Sequence, residues 1–192
     1  MGQMRTTLRS LTAIDPSPAV VLDALDRVTL DLDPDEIATV AYILLDLDTC
    51  VARVARAGHL PPLLVTPDGQ VTPVYAGGSP PLGAPSDARA EGVVEVPVGS
   101  LLVLYSDGMV EDRRTGLEPG LPDFISAVAR LASHHALDPQ ALANALMTEM
   151  AGPDREDDMT LLVSRHVGAP RPATVAQPAR NQPEEAVLET DG

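Results

Sequence analysis

The sequence predicts an α+β fold with a mainly antiparallel sheet, and three observations predict it. Two segments of helical period open the chain, and a meander of short aliphatic stretches separated by turn residues follows. Two further helical segments and one apolar stretch then close the ordered part, and helices segregated from strands in this way mark the α+β class. A length of 192 residues with 44% apolar content suits one domain with a real core.

Each element has its own local cause. Met1, Met4, Leu8 and Leu11 recur three or four apart, which predicts a helix over Met1 to about Ala13. After the Asp15-Pro16 turn, Ser17 reads as an N-cap with Pro18 at the first helical position, and Val21, Leu22, Leu25 and Val28 form the apolar stripe. Ala38 to Leu45 is dense in β-branched and aliphatic residues, and the Asp46–Thr49 turn folds Val51 to Ala57 back on it as a hairpin. Pro61 to Val65 and Val71 to Tyr75 flank Pro67-Asp68-Gly69, a hairpin turn. Residues 77–81 read as loop, and Gly92 to Val96 with Leu101 to Tyr105 read as another strand pair. Pro122 to about His134 and Pro139 to Met150 read as helices with proline at the first position, the second capped by Asp138. Met159 to Arg165 is a final strand. Residues 167–192 hold four Pro, two Arg and an acidic end with no apolar periodicity, so a disordered tail is expected beyond a domain spanning 1–166.

Charge and composition exclude several function classes. All 13 basic residues are Arg, and 28 acids bring the formal net charge to −15, which repels phosphate backbones and argues against a nucleic-acid partner. The longest clean apolar run, Val40 to Leu45, is far short of the ~18 residues of a membrane span. No signal peptide is readable, and the single Cys50 excludes an internal disulfide and fits a reducing compartment. The expected location is the cytoplasm.

Four places could carry chemistry. Asp31, Asp33 and Asp35 imitate the start of a calcium loop, but Glu36 and Tyr42 stand where glycine and glutamate are needed, so a solvated turn is the reading. His59 in Ala57-Gly58-His59-Leu60-Pro61-Pro62 has no second histidine at a metal-like spacing and reads as structural, with Gly58 allowing tight packing. Asp107 ends the apolar strand Leu101–Tyr105, and Gly108 after it lets the chain bend beside the carboxylate. Such an aspartate is either a metal ligand or part of a scaffolding turn. Asp157 and Asp158 directly precede the last strand, where two adjacent acids repel each other unless a cation or water relieves them. Taken together, the last two places make a sheet-edge oxygen cluster suited to Mg²⁺ or Mn²⁺. His134 and His135, on a predicted helix, read as surface.

The sequence resembles the SpoIIE-type branch of the bacterial metal-dependent serine/threonine phosphatases, within the protein phosphatase 2C-like superfamily. The resemblance rests on residues 1–9, Ala38-Thr-Val-Ala-Tyr42, Arg56-Ala-Gly-His-Leu-Pro-Pro-Leu-Leu64, Pro81-Leu-Gly83, Leu104-Tyr-Ser-Asp-Gly-Met-Val-Glu111 and Asp157-Asp-Met-Thr-Leu161, in the family's order. It implies an α/β/β/α sandwich of mainly antiparallel sheets and hydrolysis of phosphoserine or phosphothreonine. Two Mn²⁺ or Mg²⁺ ions would activate a bridging water. Asp107 and Asp157 correspond to metal-binding aspartates, and Asp158 and Gly108 would shape their surroundings. The resemblance also implies a phosphorylated signalling protein as substrate, of the anti-sigma-factor antagonist kind.

Members of that family carry further metal-binding carboxylates on strands that precede the first matched segment. The expectation is therefore the C-terminal portion of a phosphatase domain, N-terminally incomplete, with exposed sheet edges and little activity as an isolated chain. The alternative reading is a catalytically inactive remnant that acts as a binding module.

Overall fold

The computed structural model describes residues 2–32, 35–110, 117–134, 137–150 and 158–169. Asp33, Asp157, His135 and residues 170–192 of the expected tail lie outside the described residues.

Amphipathic spacing builds the first layer. Helices α1 (Gly2–Ile14) and α2 (Pro18–Leu32) pack on each other, and α2 buries Val21, Leu22, Leu25 and Thr29. Strands β1 (Val40–Asp46) and β2 (Val51–Ala57) form the expected hairpin, with seven register pairs from Val40↔Ala57 to Asp46↔Val51. The tight turn is held by the Asp46 carboxylate, which accepts the backbone N–H groups of Asp48 and Thr49. Those two N–H groups, Thr49's first, hold the Asp46 carboxyl below its ordinary pKa.

Strands β3 (Leu63–Val65) and β4 (Val71–Pro73) form the second expected hairpin, and β7 (Leu101–Tyr105) pairs with β3 and with β8 (Leu161–Arg165), all antiparallel. The second sheet therefore runs β4-β3-β7-β8. Against it lie α3 (Leu117–His134) and α4 (Pro139–Met150), the latter opened by the Asp138 carboxylate accepting the Ala141 N–H at 2.7 Å.

Period-two alternation sorts the core into three layers. Ala55 and Ala57 of β2 face α2, whereas Ala52 and Val54 face Leu64 of β3 between the sheets. Leu63, Val65, Leu101, Val103 and Tyr105 face Phe124, Val128, Leu142 and Leu146 of α3 and α4. The order is helices, sheet, sheet, helices, the α/β/β/α sandwich.

Three local expectations need correction. Residues 92–96 and 101–105 do not pair with each other. Strand β6 (Gly92–Glu95) pairs with β2 in the first sheet, while β7 sits in the second, so residues 96–100 cross between layers. Gly78 and Ser79, expected as loop, form a two-residue strand β5 running parallel to the end of β2. Strands β5 and β6 thus share one edge of β2, each too short to cover it alone. Finally, α3 starts at Leu117 and carries Pro122 inside. Pro119 falls among the first four residues, whose N–H groups have no helical partner anyway, and Pro122 forfeits only one bond near the helix start.

Among the described residues, β1 pairs only with β2 and β8 only with β7, so each sheet presents an unpaired edge. No helix there is long and apolar enough to cross a membrane.

Candidate active site

Antiparallel pairing of β7 with β8 decides what meets at the sheet edge. The last ladder pair is Tyr105↔Leu161, so the residues after β7 lie against the residues before β8. Ser106 continues the strand direction (φ −78°, ψ 163°), and its N–H donates to Thr160 O at 2.9 Å. The chain then coils tightly through Asp107–Met109, with Met109 N–H donating to Ser106 O at 3.0 Å. Asp107 is exposed at this corner, and its Oδ1 accepts the N–H of buried Gly108 at 2.9 Å. Across from it, the Ser106 hydroxyl donates to Asp158 O at 3.2 Å and accepts the Thr160 N–H at 2.9 Å. The structure therefore brings Asp107 and exposed Asp158 to one edge, with Asp157 just outside the described residues.

Behind this edge lies the Gly58–Pro62 segment, and its composition dictates its bonding. Pro61 and Pro62 have no N–H, so the segment cannot join a ladder in the ordinary way. The carbonyls of residues 59–62 each have a partner of their own. His59 O accepts from Arg56 Nη1 at 2.7 Å, Leu60 O pairs with His59 Nδ1 at 2.8 Å, and Pro61 O accepts from the Tyr105 hydroxyl at 2.9 Å. Pro62 O accepts the Val74 N–H at 2.8 Å. Arg56 also donates to Tyr75 O at 2.9 Å and Ala76 O at 3.3 Å, and burial pushes its guanidinium below its usual pKa. Gly58 adopts φ +66°, and a Cβ there would sit 2.5 Å from Pro81 Cγ. In this structure His59 is tied into the frame through its carbonyl and its ring, and Gly58 makes the close approach to Pro81.

Sequence reasoning passed over Ser106, Tyr105 and Arg56. Their signal was only their adjacency to the singled-out residues: Ser106 precedes Asp107, Tyr105 ends an apolar strand, and Arg56 stands three residues before His59. A tyrosine closing a strand reads as packing until its hydroxyl is seen on a proline carbonyl.

Hard cations such as Mg²⁺ keep several waters and are commonly held by only one or two carboxylates, so the exposed Asp107 carboxylate beside an acidic strand entrance is of the right donor kind. Among the described residues no three of His, Cys, Asp or Glu come together as a metal cluster.

The layered sandwich with a carboxylate corner after β7 has the fold of the PP2C-type phosphatase domains. Residues 1–167 match the family described as Stage II sporulation protein E (SpoIIE), and the chain belongs to that family. It is similar to the RsbU and RsbW domains of Rv1364c from Mycobacterium tuberculosis, at 29% identity and TM-score 0.76 over 88% of this chain and 48% of that one. The PP2C phosphatase domain with a regulatory fragment of the cell fate determinant SpoIIE from Bacillus subtilis has 22% identity and TM-score 0.70, over 85% of this chain and 49% of that one. RsbX, solved in complex with magnesium, has 18% identity and TM-score 0.54, over 84% of this chain and 71% of that one. The chain spans about half the length of the first two.

Proposed function

We propose that this chain is the C-terminal portion, over residues 1–166, of a divalent-metal-dependent protein serine/threonine phosphatase. Asp107 and Asp157 act as metal ligands in this reading, and Asp158 and Gly108 shape their surroundings. The observation that carries it is the β7–β8 register, which sets Asp107 opposite the acidic entrance to β8. Family membership over residues 1–167 supports it, as does the magnesium bound by the structurally similar RsbX.

Mn²⁺ or Mg²⁺ at this corner would supply an activated water and charge neutralisation for attack on a phosphoserine or phosphothreonine. The chain's own part is to fix donors. Gly108 N–H orients one oxygen of Asp107, the Ser106 bonds hold the entrance to β8, and the carbonyl frame of residues 59–62 stiffens the end of β7. The substrate class that fits the family is a phosphorylated bacterial signalling protein, of the anti-sigma-factor antagonist kind.

The test is hydrolysis of a phosphoserine peptide with and without Mn²⁺. Metal-dependent turnover that a chelator abolishes and that Asp107→Asn and Asp157→Asn each reduce by a hundredfold or more would support the reading. Turnover indifferent to metal and to both substitutions would overturn it. Saturable phosphopeptide binding without turnover would favour the binding-module reading over the enzyme.

A further inference from the structure

The backbone makes an unusual exchange where β7 ends. In a continuing antiparallel ladder the Thr160 N–H would bond to the Ser106 carbonyl. That carbonyl is taken by Met109 N–H, because the chain turns at once through Asp107–Met109. The Ser106 side chain fills the gap: its Oγ accepts the Thr160 N–H at 2.9 Å in place of the carbonyl, and its O–H donates to Asp158 O at 3.2 Å. One hydroxyl thus lets the chain turn away at Asp107 without releasing the strand entrance at Asp158.

We propose that Ser106 is a positioning residue whose hydroxyl sets the spacing between the Asp107 carboxylate and the acidic entrance to β8, and so sets affinity for a divalent cation. The proposal rests on the metal-ligand reading given above. Its physics is that of groups behind a metal ligand, which hold the ligand's orientation and whose loss commonly costs about ten- to a hundredfold in metal affinity. The extended backbone at Ser106 accepts a β-branched residue, so threonine and valine there have nearly the same shape and differ by the hydroxyl alone.

The experiment titrates Mn²⁺ alone into the full chain and follows paramagnetic broadening of the Gly108 and Thr160 amide resonances by NMR, a readout that needs no turnover. In the wild type both amides broaden together with one midpoint. Ser106→Thr should stay within about twofold of that midpoint, whereas Ser106→Val should need about tenfold more Mn²⁺, with the two amides no longer moving in step. Ser106→Ala removes the hydroxyl without added bulk and should match Ser106→Val, which guards against a packing effect. Equal midpoints for the threonine and valine variants would overturn the positioning role while leaving the metal reading intact. Failure of Mn²⁺ to broaden Gly108 in the wild type, or broadening unchanged in Asp107→Asn, would overturn the metal reading and the role of Ser106 with it.

Discussion

Replacing Tyr105 by phenylalanine tests the carbonyl frame behind the candidate site. The ring is 2% exposed and tilts against Phe124 at a centroid distance of 4.6 Å, and phenylalanine keeps all of that contact. What disappears is a single O–H donating to Pro61 O at 2.9 Å. Pro61 and Pro62 are buried, so the stranded carbonyl has no ready route to water. A buried acceptor left without its donor costs about 1–3 kcal/mol, against roughly 1 kcal/mol net for an ordinary exposed bond. The expected loss in Tyr105→Phe is therefore about 2 kcal/mol, measured as the midpoint shift of urea unfolding at constant slope. A second signature lies in pH. Burial, then the neighbouring Tyr75, raises the Tyr105 hydroxyl's pKa, with Arg56 opposing. A raised folded value means stability that is whole below the ordinary value of about 10 and is lost as pH rises through the folded one. Wild type should lose this part above pH 10, and Tyr105→Phe should not. A midpoint shift below about 0.5 kcal/mol, with identical alkaline limbs, would show that the Pro61 carbonyl does not depend on Tyr105.

Two further outcomes are expected. Gly58→Ala and Gly69→Ala both put a side chain at positive φ, +66° and +88°, at about 1–2 kcal/mol each. The new Cβ at 58 also meets Pro81 Cγ at 2.5 Å while that at 69 finds only Ser133 Oγ at 3.6 Å, so thermal unfolding should place Gly58→Ala clearly below Gly69→Ala. The Glu91 carboxyl lies below its ordinary pKa: its burial works upward, but hydrogen bonds from Arg53 and from Ala19 N–H at the start of α2 outweigh it. A depressed folded value gives stability that is present above the ordinary pKa and lost as pH falls through the folded one. Glu91→Gln should therefore be less stable than wild type at pH 7, and the two unfolding curves should converge at acid pH.

The sequence made most elements legible because they are local facts. Helical spacing, the Asp46 and Pro67-Asp68-Gly69 turns and the Asp138 cap each act within a few residues, and the structure has two helices at each end and both hairpins they imply. Where β6 goes was not local. Residues 92–95 carry the same alternation whether they pair with 101–105 or with β2, and the sheet is chosen by a vacancy along β2 that residues 78–79 fill only in part. Asp107 was legible only in combination: an apolar strand ending in Asp-Gly is also common scaffolding, and it was the second acidic strand boundary about 50 residues on that made it a candidate. Ser106 and Tyr105 were not, since their roles depend on which carbonyl has lost its backbone donor, and only the assembled chain shows that.

The same missing N–H groups link fold and site. Pro61 and Pro62 offer no N–H to a neighbouring strand, and the segment is held instead by donors to its carbonyls from β2, from Val74 just after β4, and from the end of β7. One short segment thus bonds to both sheets immediately behind Asp107. Ser106 extends that bracing to β8, whose other edge has no strand partner among the described residues. An edge strand held on one side only is free to fray from its outer face. Fraying of β8 would carry Asp158 away from Asp107, and the bonds of Ser106 with Asp158 and Thr160 oppose that motion at this end of the strand. Hydrogen exchange follows from this: the Thr160 amide, bonded to a side chain at the strand's first turn, should be protected in the wild type and should lose that protection in Ser106→Ala. Equal exchange at Thr160 in both proteins would mean that the β7 ladder and the α4 face, where Leu161 and Val163 pack, hold β8 without the hydroxyl, which is then incidental to the edge.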